Sequence, residues 1–274
     1  ATHPLRILID HEKESAMINS YLRMADHMER PWMPNFPEID GDSRRMNCNH
    51  GVAMVIDAYN KGLKTFDLDK AYIACKSAIT EKTLAPWSSK PAGVLDQFYK
   101  DHGYFPGLAK GERETVPEVH GWERRQPIAV TLGSVYDEWC LGMIADHLGK
   151  KAEAEYFTNR AYNYRKILHP DTKFFHPKDT FGIFMENMDY RFPPGIGGRD
   201  AYDENTGYVY RFNVQHNIAD LVNLLGGKKV FVEELENMYN TPLGKGRPDF
   251  YHIYADHTGN VGQYSMGNEP AMHI

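Results

Sequence analysis

Met17, Ile18, Tyr21, Leu22, Ala25 and Met28 recur at three- and four-residue intervals and predict a helix over 15–29. Pro31 and Pro34, which cannot donate to a helical ladder, end it. An irregular loop with Trp32 and Phe36 follows. Val52, Val55, Ile56 and Tyr59 then mark a helix within 46–60, closed by Gly62. Asp67 is a capping residue ahead of Leu68, Ala71, Tyr72, Cys75, Ala78 and Ile79, a third apolar face. A short helix is predicted near 94–99, stopping at Gly103. Beyond a polar loop over 104–125 comes a long helix over 126–148, closed by Gly149. An aromatic-rich helix is predicted over 152–168. The stretch 169–204 lacks helical period, is rich in Pro, Gly and Phe, and reads as short strands and turns. Helices over 207–225 and 229–239 meet at Gly226 and Gly227, and the remainder reads as loop.

Consecutive helices with no run of alternating strands predict an all-α chain, organised as a single helical domain over 1–274. Its connections are unequal, some of two or three residues and some far longer. Long loops in a compact domain are commonly functional. A toroid of helical hairpins, with loops and short strands gathered at one rim, fits this layout.

The net charge is −6 and the basic residues do not cluster, which argues against a nucleic-acid partner. No apolar run approaches the ~20 residues of a membrane span. There is no charged-then-apolar leader, and the opening residues 1–5 read as the interior of a longer chain. Cys48, Cys75 and Cys140 are widely spaced and read as buried thiols.

Two polar stretches interrupt this pattern. From Arg199 to Asn217 the chain reads RDAYDENTGYVYRFNVQHN: carboxylates crowd a turn, and Asn205 and Thr206 are cap types that place a helix start directly after Glu204. Asp200 and Asp203 stand near enough in sequence to raise the Glu204 pKa by their charge, with Tyr202 and Tyr208 as an apolar wall. From His257 to Ile274 the chain reads HTGNVGQYSMGNEPAMHI, polar groups on a Gly-containing loop. Taken without further context, Glu204 reads as a carboxylate at a helix N-terminus, Asn268 as a turn residue and Glu269 as a surface charge.

Together the two stretches resemble glycoside hydrolase family 92, the calcium-dependent exo-acting α-mannosidases. The family pattern Y-x-E-G-N-x-W-x-Y-x-W-x-V-x-H-D is met by Tyr202 to Asn217, and G-x-G-N-E-P-S-H-H-I by Met266 to Ile274. Further ordered similarities occur at HGVAMVIDAYNKG (50–62), TLGSVYDEW (131–139) and AYNYRKILHP (161–170), so the resemblance covers nearly the whole chain. It departs where Tyr208 and Phe212 replace Trp, Gln215 replaces Pro, Asn217 replaces Asp, and Ala271 and Met272 replace Ser-His.

The resemblance implies an (α/α)6 barrel and an inverting, calcium-dependent exo-α-mannosidase. The implied substrate is terminal α-mannose, of α-1,2 type, on N-glycan or mannan chains. It makes Glu204 the general acid. Asn268 and Glu269 become sugar contacts near or at the calcium, and His273 a further sugar contact. Trp122, on a long loop, suits stacking on a sugar face or anchoring its loop. His216 reads as a packed core histidine, and Asp137 and Trp139 as internal scaffold. Two family motifs are missing from these 274 residues: W-D-T-Y-R before the position of His3, which grips the sugar, and G-D-E-D-x-G, which supplies the water-activating carboxylate. The expectation is therefore a segment of a longer chain whose β-sandwich and remaining barrel lie elsewhere, in the periplasm or outside the cell. The alternative is a non-catalytic glycan-binding or scaffold module of the same fold.

Overall fold

The structure, a computed structural model, describes residues 2–44 and 46–274; Ala1, part of the opening segment read as interior sequence, lies outside the described residues. Its helices are α1 (Thr2–Ile9), α2 (His11–His27), α3 (Gly51–Asn60), α4 (Leu68–Glu81), α5 (Val94–His102), α6 (Pro127–His147), α7 (Lys151–Arg160), α8 (Gly207–Tyr210), α9 (Ile218–Leu225), α10 (Lys228–Asn240) and α11 (Arg247–Ile253). Two small antiparallel hairpins, β1–β2 (Pro37–Glu38, Gly41–Asp42) and β3–β4 (Asn260–Val261, Tyr264–Ser265), complete it. Neighbouring helices pack as pairs, α1 on α2, α3 on α4, α6 on α7 and α9 on α10. This is the all-helical, toroid-like layout that the periodicity predicts.

The punctuation residues act as the sequence implies. The Asp67 side chain accepts from the Lys70 backbone N–H and starts α4, and Gly103 ends α5 in a left-handed conformation. Helix α6 is apolar on nearly every face and buried along most of its length, the mark of a central element. Its C-terminal half (Cys140, Leu141, Ile144, Ala145) packs into the core of α1 to α4 and α7. Its N-terminal half (Ile128, Ala129, Leu132, Val135) packs into a second core with Tyr202, Val209, Phe212, Val214 and Leu221. Gly133 lets the turn before α3 approach this rod, because a Cβ there would meet the Cys48 sulfur at 2.1 Å.

Five stretches differ from the sequence reading. The helix predicted over 152–168 ends at Arg160 and continues as a 3-10 turn over Asn163–Ile167. There the Ala161 carbonyl accepts from the His216 ring instead of continuing the ladder. The helix predicted over 207–225 breaks into α8 and α9. Arg211 is drawn to the Lys173 and Thr172 carbonyls and to Glu234, while the Asn217 side chain caps α9. In place of strands, the stretch 169–204 forms isolated bridges, Phe175 with the preceding Leu168 and Lys178 with Phe184, and a 3-10 turn over Ile196–Gly198. Helices α1 and α11 form where no helix is predicted.

Asp137 of α6 ties the start of α3 to this central helix from inside, as its scaffold reading expects. One oxygen accepts from the Asn49 backbone N–H at 2.6 Å and the other meets His50 Nδ1 at 2.6 Å. Asp137→Ala is expected to lower unfolding free energy by about 3 kcal/mol, since two charge-assisted bonds are lost and a buried N–H is orphaned. A lower urea midpoint at unchanged slope in the purified protein checks this.

Candidate active site

A cavity of about 400 Å³ opens against the N-terminal half of α6. Asn47 and His50 wall it on one side, Ala129 and Gly133 form its floor, Asp203, Glu204 and Tyr210 face it, and Glu269 and His273 close it. A larger cavity, about 490 Å³, is lined from α4, α5 and α7 and contains none of the predicted site residues.

Glu204 reaches the cavity from an unusual backbone. Its φ is +56°, a left-handed conformation uncommon for a residue with a Cβ and costing on the order of 1–3 kcal/mol. The buried residues beside it hold it there. Asn205 accepts from the Thr206 N–H and donates to Asn268 Oδ1 at 3.0 Å, and Tyr210 donates from its hydroxyl to the Asp203 carbonyl. Helix α8 begins directly after Thr206, as predicted, although the Thr206 side chain makes no cap bond. The Glu204 side chain is 21% exposed; Arg199 Nη2 donates to Oε1 at 3.0 Å and Asn268 Nδ2 to Oε2 at 3.4 Å. The structure thus brings the two polar stretches, 63 and 64 residues apart, into direct contact.

Arg199 organises three carboxylates. Its Nε donates to Glu123 Oε2 at 3.0 Å and lies 3.6 Å from Asp203 Oδ1, while Nη2 holds Glu204. Glu123 and Asp203 are both buried. One guanidinium cannot neutralise three ionised carboxylates away from water, so this cluster favours retaining a proton. Burial first, then the adjacent Glu204 charge, pushes the Asp203 carboxyl up to about 8 against the pull of Arg199. Glu204 is also raised, by burial and then by Asp256, with Arg199 and the Asn268 hydrogen bond opposing. A raised carboxyl facing a cavity can hold a proton near neutral pH and deliver it to a leaving oxygen.

Some of the expected neighbours lie elsewhere. Asp200 points to Arg124, at 3.8 Å, and the negative charge acting on Glu204 comes from Asp256 and, less, from Glu123. Tyr202 is fully buried with its hydroxyl on the Phe175 carbonyl, and Tyr208 packs on Phe174, so the aromatic wall of the cavity comes from Tyr210 and Phe36. Trp122 lies outside the cavity lining; its indole covers the Arg199 guanidinium, 4.3 Å from ring centre to Cζ. His273 lines the cavity and donates from Nε2 to the Phe212 carbonyl at 3.0 Å. Burial lowers its pKa, which keeps the ring neutral and Nδ1 available as an acceptor.

The expected metal residues are unequal. Asn268 is buried with its side-chain oxygen already accepting from Asn205, a bond it would surrender to bind a cation. Glu269 is exposed on the cavity, with no hydrogen bond or ion pair to its carboxylate among the described residues. No group of three or more His, Cys, Asp or Glu among the described residues is placed to hold a metal ion. Calcium takes six to eight oxygens, and one open carboxylate does not make that set.

Sequence reasoning missed Arg199, Glu123 and Asp203 as one unit. The spacing of Arg199 four and five residues before Asp203 and Glu204 was a signal; the arrival of Glu123 from 76 residues away carried none.

The profile of the glycosyl hydrolase family 92 catalytic domain matches residues 1–274. Among curated proteins, an uncharacterized secreted glycosidase of Arthroderma benhamiae is 25% identical over 252 residues, covering 84% of this chain and 31% of its own length. A family GH92 alpha-mannosidase of Bacteroides thetaiotaomicron, solved with mannoimidazole, superposes with a TM-score of 0.79 at 24% identity, over 99% of this chain and 32% of its own. That likeness shows the fold, the (α/α)6 helical barrel. A family GH92 inverting mannosidase of the same bacterium gives a TM-score of 0.76 at 26% identity, over 98% of this chain and 34% of its own. The chain thus spans about a third of the length of these relatives.

The Asp203 shift has a readable sign. The unfolded carboxyl ionises near ~4, whereas the folded one keeps its proton to about 8. Between these values the folded chain binds more protons than the unfolded one. Stability therefore falls as pH rises, by about 1.4 kcal/mol per pH unit while only the unfolded group titrates. Asp203→Asn is expected to flatten the decline of the thermal midpoint from pH 5 to 8. Equal slopes in variant and parent would show Asp203 ionised in the folded state.

Proposed function

This chain belongs to glycosyl hydrolase family 92, and we propose that it forms part of an inverting exo-α-mannosidase that removes terminal α-mannose, of α-1,2 type, from N-glycan or mannan chains. One observation carries this reading: the Glu204 carboxyl, raised by burial, faces a cavity that Glu269 and His273 also line, with Asn268 bonded to it from behind. Glu204 protonates the glycosidic oxygen as the bond breaks. Asn268 fixes the carboxyl's orientation. Glu269 and the free His273 nitrogen meet sugar hydroxyls in the cavity, and Trp122 lies toward the leaving group.

Inversion requires a second carboxylate, roughly 6.5–9.5 Å from the acid, to activate water. The resemblance implies the G-D-E-D-x-G motif, which these 274 residues lack, as its carrier. Calcium is part of the proposal, with Glu269 as this chain's candidate ligand and the remaining oxygens from backbone, water, sugar or the rest of the protein. A periplasmic or secreted setting belongs to the same proposal and draws on the description of the fungal relative. The non-catalytic glycan-binding reading draws on the Arg199–Glu204 contact, which favours the ionised carboxylate; turnover separates the two.

In the complete polypeptide, Glu204→Gln is expected to lower hydrolysis of an alkyl α-mannoside by about a hundred- to ten-thousandfold. A dinitrophenyl α-mannoside, whose leaving group departs without a proton, should lose far less. Unchanged turnover of the alkyl substrate removes Glu204 as the acid. Chelation followed by buffer exchange is expected to abolish hydrolysis, with calcium restoring it; full activity after metal removal eliminates the cation.

A further inference from the structure

Beside the candidate acid, outside its cavity, lies an exposed aromatic surface built from two distant loops. Trp87 is 43% exposed and Trp122 is 49% exposed, with ring centres 6.3 Å apart, and His120 packs 5.6 Å from Trp87. Large apolar rings are seldom left adjacent and uncovered without a use. These are also held in place. Trp87 has φ +58°, a conformation a bulky side chain rarely adopts, and its loop is closed by the Thr83 N–H donating to the Lys90 carbonyl. Lys90 Nζ in turn donates to the Pro117 carbonyl, tying that loop to the segment carrying His120 and Trp122. His120 Nδ1 accepts from the Trp122 and Glu123 N–H groups, each at 3.3 Å. The inner face of Trp122 rests on Arg199, whose guanidinium bonds Glu204. One guanidinium therefore separates the indole from the candidate acid.

We infer that Trp87 and Trp122 form a stacking subsite for a sugar ring on the leaving-group side of Glu204. The direction of the chain of sugars rests on the mannosidase reading, and the position of the subsite on the continuity Trp122–Arg199–Glu204. A pyranose presents a face of C–H bonds to an indole and leaves its hydroxyls in water, which suits half-exposed rings. Because neither indole lines the cavity that Glu204 faces, the subsite grips the sugar being left behind and selects for oligosaccharides over simple glycosides.

The test uses the complete polypeptide and its Trp87→Ala variant, with α-mannosyl fluoride, which carries no leaving-group sugar, and an α-mannotriose as substrates. The ratio of kcat/KM for the triose to that for the fluoride is expected to fall roughly three- to tenfold in the variant. An unchanged ratio, including equal loss on both substrates, overturns the subsite and shows that the rings serve packing or are covered by the rest of the polypeptide. If the parent hydrolyses neither substrate, the mannosidase reading fails separately. Calorimetric titration with mannotriose then decides the subsite: at least threefold weaker binding by Trp87→Ala supports it, and equal affinity, or no binding by the parent, overturns it.

Discussion

The candidate site depends on a buried cation shared among too many anions. Arg199 is fixed by Glu123, covered by Trp122, and turned toward Asp203 and Glu204. A buried guanidinium with one partner would simply ionise that partner. With three, its charge is divided, and the buried carboxyl that it does not hydrogen-bond remains neutral. Asp203 takes that part, being buried with Oδ1 3.6 Å from the Arg199 Nε and without a hydrogen bond. Glu204 is left partly wet and facing the cavity, in a field that disfavours its charge. Arg199 thereby acts on the proton affinity of Glu204 without lining the cavity that this carboxyl faces.

The backbone serves the same end. Among the described residues, five non-glycine residues with positive φ, Cys48, Trp87, Arg124, Gln126 and Glu204, lie in this one region of the molecule. Concentrated strain of this kind persists where surrounding contacts over-determine the conformation. Here the Asn205–Asn268 bond and the buried aromatics Tyr202 and Tyr210 provide those contacts. The C-terminal Asn-Glu-Pro loop thereby acts as a support for Glu204 as well as a wall of the cavity.

Much of this was readable from the chain. Elements with a clear apolar face and a stop residue, such as α4 after Asp67 and α6 before Gly149, are recovered to within a residue or two. Helices failed to follow the periodicity where a side chain captured a backbone carbonyl, as His216 does at Ala161 and Arg211 at Lys173. Such capture depends on which segments meet in space, and local pattern is blind to it. The same distinction governs the site. Glu204 and the 268–269 loop carry a motif, whereas the charge balance among Glu123, Arg199, Asp203 and Asp256 exists only after folding.

Helix α6 contributes its two halves to separate cores, and the floor of the cavity belongs to one of them. A single rod common to both means that neither half of the molecule can melt alone without withdrawing a wall from the other. Amide protons along its middle should therefore exchange only through whole-molecule opening. A core lesion near Ile144, several turns along α6 from the cavity floor, would accordingly reach the cavity as a change in how often the protein is assembled rather than as a change in its shape.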